Sequence, residues 1–312
     1  MILVNAIFLV LFASIGLASA GESELEARQL LVKMSHAMEV LNYQGTVALL
    51  RNGKLEPMKY VHAAEKGIEQ ERLTSLNSPL REIIRGAGQV SCLFKETQQT
   101  LVDYRPFERS FLLDVPSNLD DTGAVYQFEI VAEENVAMLP SYVVAVQPKD
   151  KARYSRKIWV EKQQFLPLKA VVYDNAGLPL EQVVFTDIEV KDALPFIAFK
   201  RQDAANQAQS SDQAAFVVTA LPKGFREIFF TRKPMHDAGL PVDHLVLSDG
   251  FTSVSVYMEN KNPTMQSGLQ AIGAVNSYSR TLNNYQLTVM GVAPAETVKL
   301  IAEGIKLRDS KE

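Results

Sequence analysis

Residues 156–190, RKIWVEKQQFLPLKAVVYDNAGLPLEQVVFTDIEV, hold three runs of alternating apolar and polar residues, broken at Lys162–Gln164 and at Asn175–Gly177. Breaks this short settle the strand direction. A parallel return needs a crossover of a dozen or more residues, so the three runs must form an antiparallel meander. The same punctuation recurs along the chain. Asn52-Gly53 turns TVALLR back into KLEPMKYVHA, REIIRGAGQVSCLF reads as a second hairpin, and Asn283-Asn284 separates AIGAVNSYSRTL from YQLTVMGV. Roughly ten strands before residue 200 share that part with one helix. Ser23 and Glu26 form a capping-box pattern for it, and Ala27, Leu31, Met34, Met38 and Leu41 recur on one face. The expected fold is mainly β, of the α+β class: a strongly curved antiparallel half-barrel whose open face the helix covers, enclosing an apolar cavity.

A polar stretch divides the chain. RQDAANQAQSSDQ, ending at Gln213, contains no large apolar residue and reads as a linker. We therefore place a first domain at 21–200, a linker at 201–215 and a small α+β domain at 216–312. The net charge of −4 falls entirely on the first of these parts. In the second, a terminal helix starting at Pro294 places Val298, Ile301, Ala302 and Ile305 on one face. Residues 1–20, MILVNAIFLVLFASIGLASA, have an apolar run and an A-x-A ending, which predicts a signal peptide cleaved after Ala20, although no Lys or Arg precedes the run. No later apolar run approaches a membrane span.

Composition removes several classes of function. Cys92 is the single cysteine, so an intramolecular disulfide and a cysteine-based zinc site are excluded; it reads as a small buried apolar residue. His36, His62, His236 and His244 have no ligand spacing, and no metal or other cofactor is expected. The acidic balance argues against nucleic acid as a partner. Asp120-Asp121 and Glu133-Glu134 read as solvated loop carboxylates rather than an acid/base pair.

One stretch does carry hydrolase letters. PVDHLVLSDGFTSVSVYMEN, residues 241–260, contains Asp243, His244 and Ser248. Asp243 and His244 are neighbours on a strand and point to opposite faces, while Ser248 lies roughly 13 Å from His244 at about 3.3 Å per residue. A triad is recognised by mutual geometry, and this one is not assembled. Asp249-Gly250 instead predicts a two-residue hairpin loop, in which Leu245, Leu247, Val254, Val256 and Met258 form a core face and His244 opposes Ser255.

Two basic groups remain. Arg72, Arg81 and Arg85, with Arg105 and Arg109 close behind, could grip the phosphates of a lipid headgroup at a cavity mouth. Lys149–Lys157 is a second basic run. The plainer reading of both is a solvated face with local ion pairs.

NYQGTVALLRNGKLEPMKYVHA, ERLTSLNSPLREIIR, LPKGF and PVDHLVLSDGFTSVSVYME, in this order, resemble the MucB/RseB family of periplasmic regulators of the envelope-stress sigma factor. The resemblance extends to the meander around Trp159 and the Tyr278–Val292 hairpin. It implies a first domain like the LolA/LolB lipoprotein carriers. It also implies a non-enzymatic protein that binds the periplasmic segment of a transmembrane anti-sigma factor, shields it from the site-1 protease and is released by lipopolysaccharide or lipid A. The candidate partner-binding residues are then Arg226, Arg232, Asp243, His244 and Tyr257, and a homo-oligomer is left open. A lipid or lipoprotein carrier is the alternative reading. An enzyme would rest on the His244/Ser255 opposition alone.

Overall fold

The computed structural model describes residues 15–105, 110–116, 118–197, 213–234, 240–261 and 266–308. Helix α1 (Ile15–Val40) is followed by β1 (Asn42–Arg51), β2 (Lys54–Glu65), β3 (Ile68–Ser75), β4 (Arg81–Gly86), β5 (Gln89–Phe94) and β6 (Gln99–Tyr104). A second run comprises β7 (Tyr126–Val136), β8 (Leu139–Pro148), β9 (Ser155–Glu161), β10 (Pro167–Tyr173) and β11 (Pro179–Lys191). Together they form one eleven-stranded antiparallel sheet ordered β6-β5-β4-β3-β2-β1-β11-β10-β9-β8-β7. The predicted meander is β9–β11, and the Asn52-Gly53 turn joins Arg51 to Lys54 with both loop residues at positive φ.

β1 and β11 approach closely. A Cβ on Gly45 would stand 2.1 Å from the Asp187 carbonyl oxygen, so no other residue fits there, and a register shift follows between Thr46 and Val47.

Two apolar clusters fill the concave face. Leu30, Leu31 and Met34 of α1 pack on Phe128, Val144, Ile158 and Val160, while Tyr43, Val47, Met58, Tyr60 and Phe185 form the other half. The strap Ser110–Pro116 lies across both, with Leu112 in the second cluster and Val115 in the first. Ser23 and Glu26 lie inside α1 rather than at its start. Glu133 and Glu134 also depart from expectation, because they belong to β7. There Glu134 accepts the Trp159 indole N–H at 2.7 Å and Glu133 pairs with Lys162.

The second sheet contains β13 (Arg226–Pro234), β14 (Pro241–Ser248), β15 (Ser253–Asn260), β16 (Gly268–Ile272), β17 (Val275–Leu282) and β18 (Tyr285–Gly291), ordered β13-β14-β15-β18-β17-β16. Helix α2 (Ala295–Glu303) covers it, and the short strands β12 (Phe216–Val218) and β19 (Ile305–Leu307) pair beside it. Val298, Ile301 and Ala302 meet Leu245, Leu247, Val254, Val256 and Met258 in one core. Ile305 joins that core from β19, not from the helix. Residues 201–212 of the expected linker lie outside the described residues. Its end belongs to the second unit, because Ala214 is buried in that core and the Ala215 N–H donates to Asp243 at 3.0 Å.

The phenols of Tyr43 and Tyr60 are fully buried. Desolvation first, then the neighbouring Glu71 carboxylate, hold both well above the ordinary value of 10.0; burial and Asp249 do the same at Tyr126. The unfolded chain releases these protons near pH 10 while the folded chain keeps them. Stability is therefore full below pH 10 and falls as the pH rises above it. Alkaline titration followed by near-ultraviolet circular dichroism should show cooperative unfolding with that onset, and Tyr43→Phe should make the decline shallower.

Candidate functional site

The hairpin that carries the triad letters is the joint between the two sheets. The sequence reading closes it with two residues; the structure uses four, Asp249–Thr252, so that Ser248 pairs with Ser253 and Leu245 with Val256. A shift of two keeps every side chain on its expected face. The longer loop has a cause. Asp249 Oδ1 accepts the N–H groups of Phe251 and Thr252 at 3.0 and 2.8 Å, and the loop so held drives the Phe251 ring into the first domain's core, 5.1 Å from Tyr126 and 5.8 Å from Phe128. Gly250, at φ +103, faces Pro116, where a Cβ would lie 3.1 Å from the proline ring.

Residues 149–156 receive this loop. Arg153, at 0% exposure, donates to Asp249, to Asp150 and to the Lys223 carbonyl, and Tyr126 donates to Asp249 at 3.0 Å. Arg156 donates to the Phe251 carbonyl. Asn276 donates to the Tyr154 hydroxyl at 2.9 Å, and Thr297 to the Ala152 carbonyl at 2.9 Å. The expected solvated basic run divides: Lys149, Lys151 and Lys157 are exposed, while Arg153 and Arg156 are buried in the socket.

The proposed lipid-gripping arginines are otherwise engaged. Arg85 is buried and donates to Glu71 at 3.1 Å, with Glu69 3.6 Å away. Arg81 bonds to Glu56 at 2.6 Å, and Arg72 stands 3.9 Å from Glu82. Arg105 follows β6 and is half-buried; Arg109 lies outside the described residues. Glu71 is the hub that the sequence reading missed. It accepts from Tyr60 at 2.8 Å, from the Ser110 hydroxyl at 2.6 Å and from the Phe111 N–H at 2.8 Å, and so pins the strap to β3. No spacing rule could single it out, because its partners arrive from three other segments.

The five candidate partner-binding residues fall in three places. Arg232 and Asp243 form a fork, with one bond of 2.9 Å, on the α2 side of the sheet. His244 and Tyr257 stack at 4.3 Å on the other side, where His244 also bonds to Ser255 at 3.1 Å. Arg226 sits at the opposite end of β13, exposed, 4.0 Å from Asp121. In the observed register His244 opposes Tyr257 and meets Ser255 diagonally, and Asp243 is turned away from the imidazole to bind Arg232. The carboxylate adjacent to it in sequence therefore does not orient that histidine as a base. The thiol of Cys92 is pushed up by burial, which argues against a nucleophile. His236 lies outside the described residues, among which no group of ligating side chains could hold a metal.

The large apolar cavity expected of the half-barrel is occupied by its own strap. Between the strap and the sheet lies a space of about 110 Å³, walled by Leu49, Leu113, Ala170 and Val183 and rimmed by Arg51, Glu181 and Arg156. A polar cleft of about 420 Å³ lies at the same end of the sheet, lined by Gln147, Lys151, Ser155, Lys157 and Asn175.

Family models for the MucB/RseB N-terminal domain and the MucB/RseB C-terminal domain match residues 26–209 and 210–306. The chain belongs to the MucB/RseB family. Members similar to it include the sigma factor AlgU regulatory protein MucB of Pseudomonas aeruginosa, 28% identical over 295 residues, 90% of this chain and 91% of that one. The sigma-E factor regulatory protein RseB of Salmonella typhimurium is 23% identical over 303 residues, 95% of each chain. Among solved structures, MucB in the Pseudomonas aeruginosa MucA/MucB complex superposes with a TM-score of 0.72 at 25% identity, covering 91% of this chain and all of that one. MucB in complex with MucA(peri) gives 0.69 at 23% identity, over the same shares of the two chains. These MucB/RseB relatives carry names of regulators, not of enzymes, and both domains of the family are present here in their usual order.

Proposed function

We propose that this MucB/RseB protein is a periplasmic negative regulator of a sigma-E type envelope stress response. In this reading residues 1–20 direct export, and the two domains act together. They bind the periplasmic segment of a transmembrane anti-sigma factor, shield it from site-1 proteolysis, and give it up when lipopolysaccharide or lipid A binds. The observation that carries the reading is the superposition on MucB from a complex with MucA over 91% of this chain and the whole of MucB, second domain included. A simple lipid carrier would not need that second domain, nor the buried socket that receives it. Release follows from linkage: a lipid that favours a form unable to hold the partner must weaken the partner's affinity, and the partner weakens the lipid's by the same factor.

The test uses the mature chain from Gly21 and a fluorescent peptide of the anti-sigma factor's periplasmic segment. Anisotropy should report binding, added lipid A should reverse it, and the bound peptide should resist the site-1 protease. A peptide that stays bound at saturating lipid A removes the release step. A peptide that never binds removes the reading. Arg226→Ala, at an exposed position, tests the partner set with little risk to the fold and should weaken the peptide without changing the melting temperature.

A further inference from the structure

A leucine exposed singly on a protein surface needs no explanation, but several brought to one place by separate turns do. The turn after β1, the connection after β3 and the turn after β5 all lie at one end of the large sheet. There Leu55 is 65% exposed, Leu76 51% and Leu80 40%. The backbone holds them together: the Leu76 N–H donates to the Pro57 carbonyl at 3.1 Å, and the Leu80 carbonyl accepts the Lys95 N–H at 2.9 Å. Leu55 opposes Leu50, itself partly exposed, and each stands three positions from a core residue of its own strand, Met58 and Val47, so both point to the outer face of the sheet.

The charges around these leucines are unbalanced in one direction. Two of the acids are matched: Glu56 is bound by Arg81 at 2.6 Å, and Glu82 accepts from Thr74 at 3.4 Å with Arg72 3.9 Å away. The third, Glu96, accepts the Leu80 N–H at 3.3 Å. Against it stand Lys54, Lys59 and Lys95, all exposed, and no carboxylate of a described residue comes within 4.0 Å of any of them. A chain with a net charge of −4 therefore carries a local surplus of positive charge around its exposed leucines. The second domain leaves the patch uncovered; its Gly273 reaches this end of the sheet, but against Asn52 and Glu181.

We propose that this end of the outer face docks on an anionic phospholipid surface, with Leu55, Leu76 and Leu80 among the headgroups and Lys54, Lys59 and Lys95 against their phosphates. The charges decide between occupants. An apolar groove on a protein partner would accept the leucines but gives no reason for unpaired ammonium groups around them. Point charges on flexible stems suit a fluid layer of phosphates, which has no fixed geometry, whereas the forked guanidinium groups at this end, Arg72 and Arg81, are already paired. Near an anionic leaflet a basic residue contributes about fivefold in affinity, and a leucine leaving water about tenfold, so three of each give docking that is reversible. The patch lies on the opposite face of the sheet from the strap, and it recognises the surface of a bilayer rather than a lipid taken out of one. It goes beyond the regulatory reading, in which a transmembrane partner brings the chain within reach of such a surface.

The test is co-sedimentation of the mature full chain with vesicles of phosphatidylethanolamine and phosphatidylglycerol at roughly two to one, and with vesicles of phosphatidylcholine alone. The anionic vesicles should bind about tenfold more tightly or better, and salt that screens the headgroups should abolish the difference. Lys54→Gln/Lys59→Gln/Lys95→Gln should lower affinity for the anionic vesicles by about ten- to a hundredfold, and Leu55→Asn/Leu76→Asn by about tenfold or more. Lys54→Arg/Lys59→Arg/Lys95→Arg, which keeps the charge, should bind as the wild type does. All these positions are exposed, so none of the variants should shift the melting temperature. Equal sedimentation with both kinds of vesicle overturns the proposal, as does undiminished binding in either the glutamine or the asparagine variant. Sedimentation with neither vesicle by the wild type overturns it as well and leaves a protein as the occupant of the leucines. The vesicles hold neither lipopolysaccharide nor anti-sigma factor, so these results are independent of the regulatory reading, which stands or falls on the peptide. Loss of peptide binding in the asparagine variant, with vesicle binding unchanged, would place the partner's footprint on the patch and sink the docking surface.

Discussion

Asp249→Ala should separate the two domains. The carboxylate is fully buried and receives Arg153, Tyr126 and two backbone N–H groups of its own loop. Its removal leaves Arg153, itself at 0% exposure, with Asp150 as its remaining acid at a partly exposed position. Breaking a buried pair from one side typically costs about 3–5 kcal/mol, because the other charge stays buried without compensation. The cheapest relief is for the loop to withdraw and let water reach the arginine. Urea unfolding should then pass from one transition to two, and the interdomain amides of 249–252 should lose hydrogen-exchange protection while both sheet cores keep theirs. Asp249→Asn, which keeps an acceptor for the loop amides, should fall between the two. A single transition with an unchanged midpoint in Asp249→Ala would show that the socket contributes little to holding the domains.

The second large effect lies one strand away. Val256 is fully buried on β15, opposite Leu245 on β14 and Val289 on β18, beneath α2. Val256→Asp forfeits roughly 1.5–3 kcal/mol of side-chain burial and places a carboxylate among apolar side chains. The total exceeds what a small domain can lose, so the second domain should unfold. Val256→Ala removes apolar volume without adding charge and should leave a folded but weakened domain. Hydrogen exchange of β14 and β15 separates the outcomes: protection lost in the aspartate variant, reduced in the alanine variant. Retained protection in Val256→Asp would contradict the burial of this face. His244→Ala should leave the fold intact, since its partners Ser255 and Tyr257 keep water within reach at the sheet's other side.

What could be read from the sequence was local. Alternation and turn residues placed the β9–β11 meander, the Asn52-Gly53 hairpin and the core face of β14 and β15, because each depends on neighbours in the chain. The Asp249-Gly250 loop was misread by two residues for the converse reason: its length is set by Phe251 and Arg153, and the arginine is 96 positions away. The arginine cluster shows the same limit. Arg81 and Arg85 do share a strand face, as their spacing requires, but strand register brings Glu71 directly opposite Arg85 and turns a candidate phosphate grip into a structural pair. Glu71 carried no signal of its own, and Arg156 none beyond its membership of the basic run 149–157. Their significance arises only when the strap crosses the sheet and the second domain docks.

The order of strands in the large sheet has a consequence for how the protein is made. Each half is a simple meander, β1 to β6 and β7 to β11, in which every strand pairs with the one before it. The halves meet along a single seam, where Asn42 pairs with Lys191 and Arg51 with Glu181. Hairpins form early because their loops are short, whereas a pairing that must close most of a domain's length comes late. The amino-terminal meander therefore emerges with β1 as an open edge and waits for the last strand of its own domain. During that interval β1 is the place where another chain could add a strand, and a chaperone that shelters extended edges would have its task there.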